Sequence, residues 1–377
     1  MIYLNNAATT WPKPAPVLKA LSDAAEGLPQ GQFRGTGCST DVFGELRKSL
    51  AELFHAKDWE RFVLTSGATD SLNILIRGLG IPADAYCITA TEHNSVLRPL
   101  YNISGIAADP GPVVVPCNSC GLVDPDQLEA SLRSNTRVIL VSHCSNVTGA
   151  VQDIRAIGDI ARRHGLYFLV DASQSAGAMP VDIDGWGIDG LIFTGHKSLM
   201  GVQGTGGYYA GSRLPLLPVR FGGTGRNSRQ VIYNLQDRDD LEFEVGTQNG
   251  PGAAALLAGV RWILDRGVQQ IGAQERARMR ELYAFLQALP DTEVFGNAEQ
   301  NAGPVMSFRL KALSPSDTAY ILQNSYEIVT RTGLHCSPLI HHFIGSDPEG
   351  TVRVSVSPFT TEDDIAQFET AMREIIS

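Results

Sequence analysis

At 377 residues the chain exceeds the ~250–300 at which a single hydrophobic core usually stops growing, so two domains are expected. Hydrophobic residues at 43% and charged residues at 19% describe a globular protein with ample core, without the run of ~18 apolar residues that spans a bilayer. A formal net charge of −10 excludes a duplex-binding surface built on clustered Lys and Arg, so no nucleic-acid partner is expected. The start, Met1 to Asn6, has neither the basic region nor the apolar core of a secretion signal. Six scattered cysteines do not make a disulfide scaffold. A cytoplasmic protein without a membrane partner is the expectation.

In chain order, residues 2–4 read as extended, followed by a small-residue turn, Asn5 to Thr10. Trp11-Pro12-Lys13-Pro14 stops any helix, and Pro16 suits the first turn of the next. Helical patterns follow near 16–27 and 40–55, joined irregularly through 34–37. From 61 onward, apolar runs at 62–65, 86–89, 113–116, 138–142, 168–171, 191–194 and 207–210 alternate mostly with helical stretches. Several runs are apolar throughout, as parallel strands covered on both faces should be. That alternation predicts an α/β domain with a mainly parallel sheet. Past 252, long helical patterns (252–266 and 270–288) lead to 305–309, a helix capped near Ser314, extended runs at 327–331 and 351–356, and a last helix from Thr361. This texture suggests a smaller α+β domain.

The chemistry gathers at strand ends. In an open parallel sheet, residues just past the carboxyl ends of strands meet at one crevice. Asp171 and Gln174 follow one run, and Thr194, His196 and Lys197 follow another. Together they suit a cofactor with a pyridine nitrogen, a phenolic oxygen, a phosphate and an aldehyde. A lysine in a dry crevice can be an uncharged amine, as Schiff-base chemistry requires. A carboxylate at a pyridine nitrogen keeps that ring protonated and electron-withdrawing. The turn Thr65 to Asp70 opens a helix, where free amides attract a phosphate. His93 follows another run and can stack on a flat ring or move protons. Asn146 ends a further strand, within reach of a phenolic oxygen or a substrate.

The motifs Tyr3 to Thr10, Thr65 to Thr69, Thr91 to Asn94, Ser145 to Gly149, Val170 to Gln174, Thr194 to Lys197 and Phe243 to Thr247 stand in one family's order. Over essentially its whole length the chain resembles class V aminotransferase-fold enzymes that use pyridoxal 5′-phosphate, specifically the cysteine desulfurases and selenocysteine lyases. The resemblance implies a type I PLP-dependent transferase fold. Its large domain, 14–255, would carry a mainly parallel seven-stranded sheet; the small domain, 256–377, would pack with residues 1–13.

The resemblance also assigns residues. Lys197 would bond the cofactor aldehyde, Asp171 would pair with the ring nitrogen, Gln174 would meet the phenolic oxygen and His93 would stack on the ring. Ala68, Thr69, Thr194 and His196 would hold the phosphate. Thr247 would reach the phosphate of a neighbouring subunit, implying a homodimer with shared active sites. Arg331 to Pro338 is similar to the segment whose cysteine accepts substrate sulfur in group II desulfurases, which makes Cys336 the nucleophile, with Arg331 and His335 favouring its thiolate. Arg353 matches the arginine that clamps the substrate carboxylate.

L-cysteine is then the expected substrate, with L-alanine and a Cys336 persulfide as products. Pro338 implies a short, stiff loop, and hence a dedicated sulfur-acceptor protein. L-selenocysteine is the rival substrate. An aminotransferase or kynureninase-like lyase would have no use for Cys336, and a PLP-binding sulfur-relay protein without turnover is the reading from another class. Cys38, Cys87, Cys117 and Cys144 are expected as packing residues, Cys117 to Cys120 as a turn rather than a metal site, and His341-His342 as loop polarity. Asn5 stands where relatives usually carry Asp, and Ala68 where Gly or Thr is more typical.

Overall fold

A computed structural model describes residues 1–27, 41–102, 111–223, 229–236, 242–296 and 303–377. The expected 34–37 connection and Cys38 lie outside them. Its strands are β1 (Ile2–Tyr3), β2 (Phe62–Thr65), β3 (Tyr86–Thr89), β4 (Val113–Val115), β5 (Val138–Ser142), β6 (Tyr167–Asp171) and β7 (Gly190–Thr194). They continue with β8 (Gly206–Ala210), β9 (Thr292–Phe295), β10 (Val305–Leu310), β11 (Ile328–Val329), β12 (Arg331–Gly333) and β13 (Thr351–Ser355).

Seven strands form the large sheet in the order β2-β8-β7-β6-β5-β3-β4. Only β8 runs against its neighbours. The apolar runs explain the placement. Ile139 and Val141 of β5 face one core while Val138 and Leu140 face another, so both surfaces of the strand are buried. β6 repeats the pattern, with Phe168 and Val170 on one side and Leu169 on the other.

The second core lies over the four-stranded antiparallel sheet β12-β13-β10-β9. Met306, Phe308, Val352 and Val354 meet Met279, Leu282, Phe368 and Met372 there, with Ile2 and Leu4 from the amino-terminal segment. Ile271 still belongs to the large-sheet core, whereas Met279 belongs to the small one. We therefore propose the domain division inside the helix Val268–Ala288 rather than at 255.

Local signals set the helix starts. Ser314 Oγ accepts from the Asp317 N–H at 3.1 Å, and Thr361 and Asp364 form a reciprocal capping box. The extended run expected at 327–331 proves to be two strands. Ile328 and Val329 pair with β1, while Arg331 begins the next strand on β13. β9 and the helix Pro338–Ile344 were not expected; β9 offers only Val294 and Phe295 as an apolar pair, and seven residues are too few for a helical period. No described helix is long and apolar enough to cross a membrane.

Candidate active site

The carboxyl ends of β2, β5, β6 and β7 border one cavity of about 330 Å³. Its walls include Ala68, Thr69, His93, Asn146, Asp171, Gln174, Thr194, His196, Lys197, Arg331 and Arg353. Eleven of the expected site residues therefore meet in one place. Thr247 and Cys336 are not among the wall residues.

On the large-domain side each group has a fixed support. Asp171 Oδ1 accepts from the Ser173 N–H at 2.9 Å and the Ser173 hydroxyl at 2.5 Å. The Ser95 N–H donates to His93 Nδ1 at 3.0 Å, so the neutral ring carries its proton on Nε2. Ser95 Oγ lies 2.7 Å from Thr69 Oγ1, which ties His93 to the start of the helix Ala68–Gly78. That helix opens at Gly67 with φ 150° and no side chain capping its first turn, leaving an amide-lined end beside Thr194 and His196. Gln174 Nε2 donates to the Ala7 carbonyl at 3.0 Å.

Burial decides the charge states here. It lowers Lys197 to about 8, outweighing the pull of Asp171. His93 falls to about 4 through burial and then Lys197, and His196 to about 4 for the same two reasons. Glu92, under the sheet end, rises to about 8 through burial, although its Oε1 accepts from Thr89 Oγ1 and the Ser142 N–H. At neutral pH the wall holds neutral imidazoles and an amine that loses its proton easily.

The small-domain side differs. Arg331 and Arg353 are directly paired residues of β12 and β13. Arg353 is only 1% exposed, yet Nη1 donates to the Asn146 carbonyl at 3.0 Å and Nη2 to Asn5 Oδ1 at 3.3 Å, both neutral acceptors. Its Nε has no partner among the described residues. Arg331 Nη2 donates to Cys336 Sγ at 3.5 Å, so the thiol stands just behind a wall residue. Cys336 is half-buried, whereas Cys87, Cys117 and Cys144 are buried and burial pushes their thiols up to about 12, 11 and 12.

The turn bearing Cys336 is left-handed at His335 (φ 50°) and Cys336 (φ 62°). Three bonds pin it: Asn146 Nδ2 to the His335 carbonyl (2.7 Å), Ser337 Oγ to Asn146 Oδ1 (2.6 Å) and the Asn94 N–H to the Cys336 carbonyl (2.7 Å). Asn146 was expected to reach substrate, but both ends of its amide are committed to this turn. His335 does not lend charge to the thiolate. Its Nε2 lies 2.9 Å from Thr351 Oγ1, and burial, then the charge of Arg353, holds it well below the usual histidine range. His341 is fully buried in a helix, with Nδ1 2.7 Å from Ser346 Oγ, rather than being a polar loop residue. Asn118 Oδ1 accepts from the Cys120 and Leu122 N–H groups, closing the Cys117 to Cys120 turn. Among the described residues no three His, Cys, Asp or Glu side chains cluster as a metal site.

Four supports escaped the sequence reading: Ser95, Ser173, Asn94 and Ser337. Ser95 and Ser173 each lie two residues beyond the group they hold, the spacing of a local side-chain turn. The other two act across the fold and had no local signal.

Residues 2–368 match the family Aminotransferase class-V, and the chain belongs to that family. A probable cysteine desulfurase of Methanothermobacter thermautotrophicus is 31% identical over 99% of this chain and 94% of its own length. Among solved structures, the apo cysteine desulfurase of Thermococcus onnurineus NA1 superposes with a TM-score of 0.87 at 28% identity, covering 100% of this chain and 94% of that one. The Escherichia coli cysteine desulfurase CsdA, in an S-sulfonic acid form, gives 0.85 at 25% identity, covering 99% and 94%.

The family's cofactor is pyridoxal 5′-phosphate, and the residues present fit it. The cavity offers an amine for the aldehyde, one carboxylate for the ring nitrogen and an uncapped helix end for the phosphate. His196 Nδ1, buried and unpartnered among the described residues, adds a further polar group.

Proposed function

We propose that this protein is a cysteine desulfurase that takes sulfur from L-cysteine, releases L-alanine and keeps the sulfur as a persulfide on Cys336. The observation that carries the reading is the Cys336 thiol held against Arg331, behind a cavity that joins Lys197 and Asp171 to Arg353, whose acceptors are both neutral. When bound, pyridoxal 5′-phosphate supplies an aldehyde for the amino group and a ring that accepts electrons from the substrate's α-carbon. Lys197 would hold it at the aldehyde, Asp171 at the ring nitrogen and Gln174 at the phenolic oxygen. Ala68, Thr69, Thr194 and His196 would hold the phosphate, with His93 over the ring.

Arg353 presents its guanidinium fork to the substrate carboxylate, the geometry a carboxylate binds best. Lys197, an easily deprotonated amine, takes the α-proton. Cys336 Sγ then attacks the substrate sulfur. A sulfur–sulfur bond forms, the carbon–sulfur bond breaks, and its electron pair stays with the carbon that becomes the methyl group of alanine. The Nε2 proton of His93 is placed for transfer within the cavity.

The partners follow from the same features. A turn pinned at three points and running straight into the helix Pro338–Ile344 gives the persulfide little travel, so an acceptor protein must come to it. Thr247 is exposed and outside its own cavity, and Val231 (88% exposed) and Ile232 (85%) are apolar and uncovered. This supports a homodimer in which Thr247 serves the neighbouring site. Five free cysteines among the described residues suit a reducing compartment, the cytoplasm.

The test is alanine release from L-cysteine and L-selenocysteine by wild type and Cys336→Ala. Cys336→Ala is expected to lose ~10³-fold or more with cysteine, the scale of removing a nucleophile. Selenium leaves more readily, so the selenocysteine reaction should survive. A wild-type rate with cysteine would remove Cys336 from the reaction. A selenocysteine preference in the wild type would move the assignment to a selenocysteine lyase.

A further inference from the structure

Arg353 is the largest of the fully buried side chains among the described residues, and no carboxylate there neutralises it. It does not form any of the ion pairs found among the described residues. Burial, and then the like charge of Arg331, pull it below the ordinary arginine value, as expected for a guanidinium waiting for an anion. Its orientation is nevertheless fixed, because the Asn146 carbonyl and the Asn5 carboxamide each accept one of its terminal N–H groups. Asn5 is itself anchored. It forms a β-bridge with Ser355, two residues along β13 from Arg353, and its carbonyl accepts from the Ala8 N–H at 3.1 Å.

We propose that Asn5 sets the affinity of the amino-acid carboxylate site, acting as a neutral acceptor that aims Arg353 without cancelling its charge. Asn5 is thus a positioning and specificity residue rather than a catalytic one. The inference rests on the reading of Arg353 as the carboxylate anchor. A carboxylate at position 5 has nearly the same shape but would pair with the same N–H group, so an incoming amino acid would have to displace a resident anion. Position 5 therefore acts through charge, with shape a minor contribution.

The experiment uses the holoenzyme and measures binding of L-alanine and of L-alaninamide, its counterpart without a carboxylate, by calorimetry. Asn5→Asp is expected to weaken L-alanine ~10-fold while leaving L-alaninamide within ~2-fold, and to raise KM for L-cysteine with little change in kcat. Asn5→Ala, which removes the acceptor but adds no charge, should weaken L-alanine by no more than ~3-fold. Equal weakening of both ligands by Asn5→Asp, or no weakening of either, overturns the inference. So does a larger loss in Asn5→Ala than in Asn5→Asp. Should Asn5→Asp not fold, a loss of ~10-fold or more in Asn5→Ala alone also overturns it, since shape would then dominate. Arg353→Ala separates the two levels. If it binds L-alanine as wild type does, the anchor reading itself has failed.

Discussion

On the large-domain wall of the cavity, burial weakens positive charge: Lys197 falls to about 8 and His93 and His196 to about 4, while Glu92, buried beneath the sheet end, is held neutral up to about 8. The small-domain wall instead presents two guanidinium groups, Arg331 and Arg353, with only neutral or sulfur acceptors beside them. An amino acid entering such a cavity is sorted by its own charges. Its carboxylate is drawn to the small-domain wall, and its amino group is left on the side that carries Lys197 and Asp171. Orientation then comes from the contrast between the walls more than from any single contact.

The contrast can be broken from either side. Glu92→Gln carries the largest expected effect, because it removes a fully buried carboxyl beneath the neutral imidazoles whose titration is displaced from 4.5 to about 8. The folded protein keeps this proton up to about pH 8, while the unfolded chain releases it near the ordinary value of 4.5. The unfolded state therefore gains stability as pH rises through that window, and the native protein loses an equal amount. Between pH 5 and pH 8 the wild type should lose on the order of 4 kcal/mol more than Glu92→Gln does. Denaturant midpoints at the two pH values measure this. Parallel pH slopes would mean that Glu92 ionises in the native state like any exposed carboxylate.

Arg353→Lys attacks the charged wall and is expected to have a smaller effect. It keeps the positive charge but loses the planar fork, so KM for L-cysteine should rise ~30-fold, about 2 kcal/mol, with kcat falling less. Steady-state alanine release gives both parameters. An unchanged KM would mean that charge alone suffices and that the fork, with its bonds to Asn146 and Asn5, is incidental.

The two walls also differ in how far they can be read from the chain. Asp171, Thr194, His196 and Lys197 each sit at or just past the end of an apolar run, and strand polarity alone brings such positions together. The seven sheet strands were legible for the same reason, since their apolar faces mark them whatever their neighbours. On the small-domain wall the residue types were legible only through a family resemblance, and their supports were not. Asn5 reaches Arg353 across 348 residues, and Asn146 reaches Ser337 across 191. Nothing in the local pattern distinguishes an asparagine aimed at substrate from one that clamps a turn; only the assembled fold shows both ends of the Asn146 amide already taken.

That clamp gives the finest test of the comparison, because it asks whether the charged wall is also a rigid one. Ser337 is fully buried and donates to Asn146 Oδ1, whose Nδ2 in turn holds the His335 carbonyl. Ser337→Ala leaves that oxygen without its donor, at a penalty of ~1 kcal/mol or somewhat more, and the penalty is largest while the turn keeps its left-handed shape. The turn should therefore open more often. Alkylation of Cys336 by iodoacetamide, followed by mass spectrometry of the peptide, should run ~3–5-fold faster in the variant, with Cys117 as an internal reference. Persulfide sulfur should escape to small thiols by a similar factor, while alanine release under reducing conditions changes less than ~2-fold. Faster alkylation with unchanged leakage would show that confinement is not what directs the sulfur. An unchanged alkylation rate would mean that the Asn94 and Asn146 bonds hold the turn without help from Ser337.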